Sequence, residues 1–192
     1  DFIQEGRRTG FEIKTGYNTV DKGVLVTGTA AAKFTDELSA FIRTSYREHD
    51  ERQNHYGNGS SNVIGDDRTR PNPSDSKIQN LLSKVVYEPN AENKFTLSYE
   101  YFNDKTNSRA MSALSEPEIR TKNTVLDFND HSTNRRQQLN IRHDFNYATP
   151  IFDKGHWMAY YQETKGRQRI DEVRFSPATP ARPPYVPVAK PA

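Results

Sequence analysis

The chain has 192 residues, a formal net charge of +2, 33% hydrophobic and 27% charged residues, and no cysteine. Its longest mainly apolar stretch, 23–32, is about half of what a helical membrane span needs, and the mean hydropathy is −0.96, so a helical membrane protein is excluded. Without cysteine there are no disulfides, thiolate zinc sites or cysteine nucleophiles, and near-neutral charge gives no field for nucleic acid. The apolar share lies well under the roughly 45–50% of ordinary globular domains, yet 11% aromatic residues argue against disorder.

Period-two alternation predicts seven strands. They fall near 10–20, 23–33, 37–48, 77–88, 94–104, 136–147 and 156–164. Phe11, Ile13, Thr15 and Tyr17 share a face in the first; Val24, Val26, Gly28, Ala30 and Ala32 in the second; Leu38, Ala40, Ile42, Thr44 and Tyr46 in the third. Leu81, Val85 and Tyr87 follow, then Phe95, Leu97, Tyr99 and Tyr101, then Leu139, Ile141, His143, Phe145 and Tyr147, and last Trp157, Ala159 and Tyr161. The intervening positions are strongly polar. Most of these runs exceed the usual strand length of about 5–6 residues and match a tilted bilayer-crossing strand of about 9–11.

Connection lengths separate a barrel from a sandwich. From the third strand onward they run long (49–76), short (89–93), long (105–135), short (148–155), long (after 164). Antiparallel strands send alternate links to opposite ends, so all long links leave one end. That is the outer-membrane barrel pattern, and compact domains rarely carry several structureless loops beyond about 12–15 residues. Tyr17, Tyr46, Tyr87, Tyr101, Tyr147 and Trp157 near strand ends suit interfacial girdles. The fold class expected is an all-β, antiparallel up-and-down transmembrane β-barrel segment of about seven strands, an incomplete barrel.

The stretch Gly10-Phe11-Glu12-Ile13-Lys14-Thr15-Gly16-Tyr17 with Gly28-Thr29 resembles the first barrel strands of TonB-dependent outer-membrane receptors. The stretch Asp67-Arg68-Thr69-Arg70-Pro71-Asn72-Pro73-Ser74-Asp75, then Leu81 to Pro89, resembles the haem and haemoglobin receptor branch, and Phe95 to Phe102 is similar to the strand that follows there. The resemblance covers roughly 1–165. It implies a bacterial cell outer membrane protein in contact with outer-membrane lipid, a plug domain inside a larger barrel, and energy delivered through TonB. It also implies haem, haemoglobin or a siderophore as the iron source, so haem or an iron chelate is the transported ligand and no intrinsic cofactor is expected. Residues 1–9 would be the linker leaving the plug, 10–164 the partial barrel, and 165–192 a Pro-rich, basic extracellular loop or tail. Asp1-Phe2-Ile3-Gln4 is no leader sequence, so the chain is read as part of a longer protein whose plug and remaining barrel lie outside it.

His49, His55 and Tyr56, in the first long loop, are the candidate ligand-binding residues, because His and Tyr are axial ligands of haem iron. The ordinary alternative is a solvated loop tip. No metal-ligand spacing is met, so no metal site is expected. His143 falls on the apolar face, which favours a structural or lipid-facing place. Arg43, Arg47, Lys84, Glu100, Arg142 and Asp144, on the polar face, would line the interior, either facing water or pairing with the plug. No Gly-x-Ser-x-Gly, HExxH or GxGxxG constellation occurs, so no catalytic residue and no enzyme activity is expected. A passive porin-type channel and a soluble β-sandwich binding module are the alternatives to a receptor.

Overall fold

The computed structural model describes residues 3, 6–53, 61–115, 124–147 and 150–176. Its strands are β1 (Thr9–Asn18), β2 (Gly23–Lys33), β3 (Leu38–Asp50), β4 (Ser74–Asn90), β5 (Asn93–Arg109), β6 (Thr124–Phe145) and β7 (Gly155–Phe175), with a 3-10 turn at Met111–Ala113. They form one antiparallel sheet in chain order, β1 to β7. Each strand pairs with its sequence neighbours, as an up-and-down barrel wall requires. Among the described residues β1 and β7 are not paired to each other, so the wall is open. One sheet without a second layer is not the sandwich weighed above.

The register brings the alternations into phase. Leu38, Tyr87, Phe95, His143 and Trp157 form one cross-strand row; Ala40, Val85, Leu97, Ile141 and Ala159 the next; Ile42, Ser83, Tyr99, Leu139 and Tyr161 a third. Through β2, Ile42 continues to Ala30 and Phe11, and Thr44 to Gly28 and Ile13. Opposite residues on one face touch, so these rows make a continuous apolar band. The band is not level. Its centre on β1 is Lys14, which registers with Ser45 of β3; its centre on β7 is Ala159, which registers with Ala40. The offset is a little under one residue per strand. With a rise of about 3.4 Å per residue and about 4.8 Å between strands, that corresponds to a tilt of roughly 30–35°, near the 35–45° of closed barrels.

The sheet encloses no core. Leu114 is the buried hydrophobic residue among those described, while Phe11 is 73% exposed and Trp157 47%. The chain exposes 14789 Å², against roughly 9300 Å² for a compact monomer of its mass. An apolar face this large needs a cover other than this chain.

The strands run further than the alternation indicated. Residues 49–50 and 74–76 belong to β3 and β4, 105–109 to β5 and 124–135 to β6. The long connections are therefore 51–73 and 110–123 rather than 49–76 and 105–135. Likewise 165–175 continue β7 instead of opening a tail, and Thr9 already belongs to β1. These extensions are mostly polar, and their few apolar residues (Val125, Leu126 and Phe128 on β6, Ile170, Val173 and Phe175 on β7) fall on both parities, which erases the period-two signal. They hold through ladder bonds and cross-strand pairs such as Asn107 Nδ2 to Asp75 Oδ1 (3.2 Å) and Gln168 Nε2 to Asp130 Oδ2 (2.7 Å). The segment 177–192 lies outside the described residues.

Candidate functional site

The long-loop end is organised. Asn72 lies between Pro71 and Pro73, which stiffen the chain on either side. Its Nδ2 donates to Ser112 Oγ (2.9 Å), and its Oδ1 accepts from Ser112 N (3.0 Å). Gly65 N donates to Met111 O (3.0 Å), and Leu114 is buried in this region. Arg68 braces the same loop from inside: its Nη1 donates to Asn62 Oδ1 (2.9 Å) and its Nη2 to Pro71 O (2.8 Å). Thr69 Oγ1 accepts from Ser61 N (2.7 Å). The Asp67–Asp75 stretch is thus a clasp joining the β3–β4 and β5–β6 connections. The only sequence signal for it was an asparagine between two prolines.

Of the candidate ligand residues, His55 and Tyr56 lie outside the described residues. His49 is not in a loop but near the end of β3, opposite Ser76. Its Nδ1 lies 2.9 Å from Asp50 O. A carbonyl can only accept, so Nδ1 donates here and Nε2 is the ring nitrogen left for any other contact. Among the described residues no three His, Asp or Glu side chains converge as a metal-binding group.

Arg43, Arg47, Lys84, Glu100, Arg142 and Asp144 all lie on the face opposite the apolar band, since each registers out of phase with it. Three are engaged within the sheet. Arg47 Nη2 pairs with the largely buried Asp21 (2.5 Å), and Arg142 Nε donates to both carboxylate oxygens of Asp144 (2.9 and 2.8 Å). Arg43, Lys84 and Glu100 form no ion pair among the described residues. Arg43 and Glu100 flank a shallow cleft of about 230 Å³ with Ser45, Asn80, Leu82 and Arg136. A larger open cleft of about 890 Å³ lies at the short-turn end, lined by Glu88, Lys94, Arg142, Asp144, Lys154 and His156. This face offers charges of both signs.

His143 belongs to the aromatic row of the apolar face. It stacks on Phe95 with ring centres 4.1 Å apart, and meets Trp157 edge-on at 6.0 Å. Trp157 Nε1, a donor only, reaches His143 Nδ1 (3.1 Å). Nδ1 must accept, so Nε2 carries the proton and donates to Asn93 Oδ1 (2.9 Å), which also accepts from Tyr147 OH (2.7 Å). Both ring nitrogens are occupied, and the residue is structural.

Ion pairs fix the long-loop end. Lys22, in the β1–β2 turn, meets Asp50 Oδ2 at 3.0 Å, and that hydrogen bond raises the ammonium above its ordinary value. Near the start of β6, Asn129 Nδ2 (2.8 Å) and Arg109 Nε (2.9 Å) both donate to Asp127. The Asn129 bond first, then Arg109, hold the Asp127 carboxyl below its ordinary value.

A tilted wall with one apolar and one polar face, and its connections clasped together at one end, defines a β-barrel wall segment. No family model matches the chain. Over 90 residues, 47% of the chain, it is 30% identical to the hemoglobin and hemoglobin-haptoglobin-binding protein of Haemophilus ducreyi. The match covers 9% of that relative's length.

Proposed function

We propose that this chain is a wall segment of a bacterial outer-membrane receptor. In this reading the apolar band faces outer-membrane lipid, and the clasped end faces outward and captures haemoglobin or haem. The polar face lines a path that a plug domain closes and TonB-coupled energy opens. One observation carries it: in a chain similar to a haemoglobin-binding protein, the apolar band, the stagger and the long connections share one consistent orientation. The open edges of β1 and β7 favour a larger barrel completed by further strands, because unpaired edges invite aggregation. His49, whose Nδ1 is held by Asp50 O, and His55 and Tyr56 are the ligand candidates, and Arg43, Lys84 and Glu100 have charge available for a plug.

The test is haemoglobin and haemin binding by intact cells expressing the full-length protein. Comparison is made with a form whose residues 54–60 are replaced by Gly and Ser, and with His49→Ala plus His55→Ala. Binding by the parent and a loss of at least about tenfold in the variants, at equal surface level, is expected. A parent that binds neither, and instead restores growth on a ferric siderophore, would reassign the ligand. Passive, energy-independent uptake would favour a channel.

A further inference from the structure

On the apolar face the band ends differently at its two ends. At the short-turn end it finishes in Tyr87, Phe95, His143 and Trp157, with no cation among them. At the long-loop end it gives way to Gln79, Asn103, Arg135 and Lys165, and in the next row to Lys77, Lys105, Thr133 and Arg167. Two pairs of like charge stand directly opposite one another, Lys77 with Lys105 and Arg135 with Lys165. Such pairs weaken a sheet, so an external anion would relieve them. Lys77 has Glu48 at 3.3 Å and Lys165 has Glu163 at 2.7 Å, and Glu163 also attracts Arg135 through space, but Lys105, Arg135 and Arg167 form no ion pair among the described residues and are exposed. The opposite face of the same strands at this level is mixed, with Arg136 and Asp104. The cations are therefore not a general property of the projecting hairpins. They sit on the band's own face, in the second and third rows beyond the Ile42–Tyr161 row, past Leu81, Tyr101, Gln137 and Glu163.

We infer that Lys105, Arg135 and Arg167, with Lys77 and Lys165 beside them, form a belt that docks the phosphate groups of outer-leaflet lipid headgroups. The inference rests on the outer-membrane reading above. The cations span β4 to β7, about 15 Å at about 4.8 Å per strand, which accommodates more than one phosphate. Continuity with the apolar band selects lipid over a free anion: a molecule whose acyl chains cover Leu97, Ile141 and Ala159 would present its headgroup at this height. Basic residues at a membrane surface attract anionic lipid in this way.

The experiment places the full-length protein in phosphatidylcholine vesicles doped with diphosphoryl lipid A or with its dephosphorylated form. Lipid retained through detergent purification is then quantified, and Lys105→Gln/Arg135→Gln/Arg167→Gln is compared with the parent. The parent should retain the phosphorylated form on the order of 10- to 100-fold better, and the triple variant should lose that preference while still inserting. Competition by millimolar inorganic phosphate should leave retention unchanged; full displacement would mean a free-anion site and overturn the lipid assignment. Equal retention by parent and variant, both inserted, overturns the belt alone. So does a variant that keeps its lipid preference but loses binding to an acidic protein. A parent that fails to insert overturns the outer-membrane reading itself.

Discussion

Asn72 and Ser112, forty residues apart in the chain, exchange two hydrogen bonds and so join the two large connections at one end of the sheet. Neither partner is fully exposed, so the bonds are not simply exchanged for water. Asn72→Ala removes both and leaves Ser112 N without its acceptor, at a cost of about 1–3 kcal/mol. Hydrogen exchange in the full-length protein should quicken by roughly 10- to 100-fold at 61–73 and 110–115, with the strands of the band unchanged. Unchanged exchange in both connections would show that Leu114 burial and the Gly65–Met111 bond hold the clasp without Asn72.

Asp21 plays the corresponding part at the β1–β2 turn. Its carboxylate accepts from Gly23 N (2.9 Å) and pairs with Arg47, while its carbonyl accepts from Asp50 N (2.9 Å). A Cβ on Gly23 would lie 2.5 Å from Asp21 Oδ1, so glycine is required for this approach. Asp21→Ala should cost about 1–2 kcal/mol, because it strips a half-buried cation of its partner. Arg47→Met in the same background should recover part of it. Local exchange at 19–23 reads both, and additive losses would show that the pair is not coupled.

The sheet was legible where its two faces differ. From Leu38 to Tyr46 and from Leu139 to Phe145 the apolar residues recur every second position, and the register aligns them across strands. The alternation is silent where both faces are polar, as in Asn103–Arg109 and 129–135, and where apolar residues fall on both parities, as in Val125, Leu126 and Phe128. There strand structure is held by partner strands that local sequence does not reveal. His49 was assigned to a loop for the same reason, because Glu48, His49 and Asp50 carry no apolar phase. Its pairing with Ser76 depends on β4, which follows the whole 51–73 connection. The six polar-face residues share one face in the register, as their parity in the sequence implies. Parity could not show that Arg47 and Arg142 are already paired, since Asp21 lies in a turn and Asp144 two residues along the same strand.

If the apolar band faces lipid, charge at its centre is costly and charge one residue away is not. Ile141→Arg puts a guanidinium on the band, with a penalty of about 2–4 kcal/mol at mid-bilayer depth. Asn140→Arg points to the other face and should be tolerated. The amount of folded, heat-modifiable barrel in outer-membrane fractions should fall for the first and stay near parent level for the second. Equal outcomes would remove the assignment of faces.

Phe145 lies across Gly155, its opposite residue on β7, so closely that a Cβ there would stand 2.7 Å from Phe145 Cζ. The ring covers the backbone that glycine leaves bare, a pairing that pins register. Gly155→Val should expel the ring and disturb its contacts with His143 and Phe152, at about 1–3 kcal/mol. Gly155→Val with Phe145→Ala should recover most of the loss in a thermal-unfolding comparison, and an equal or larger loss would count against register pinning.

Asp127 gives the outer hairpin of β5 and β6 a defined acid response. Asn129 and Arg109 favour its charged form in the folded state, so its folded value lies below the ordinary 3.8. A depressed carboxyl contributes stability that is complete above the unfolded value and disappears as pH falls through the folded one. Exchange at 105–109 and 124–130, corrected for intrinsic rates, should be flat from neutrality to about pH 5 and accelerate below about pH 4. Lys22 has the opposite sign: its raised value keeps the ammonium charged until pH passes above 10.5, so its own titration adds an alkaline limb at the β1–β2 turn and none in acid. Asp127→Asn should flatten the acid limb at the hairpin while raising its exchange at neutral pH, because the Arg109 pair is lost. An acid limb that persists in Asp127→Asn would assign the response to other carboxylates, Glu172 and then Asp171 being the nearest in register on the partner strand.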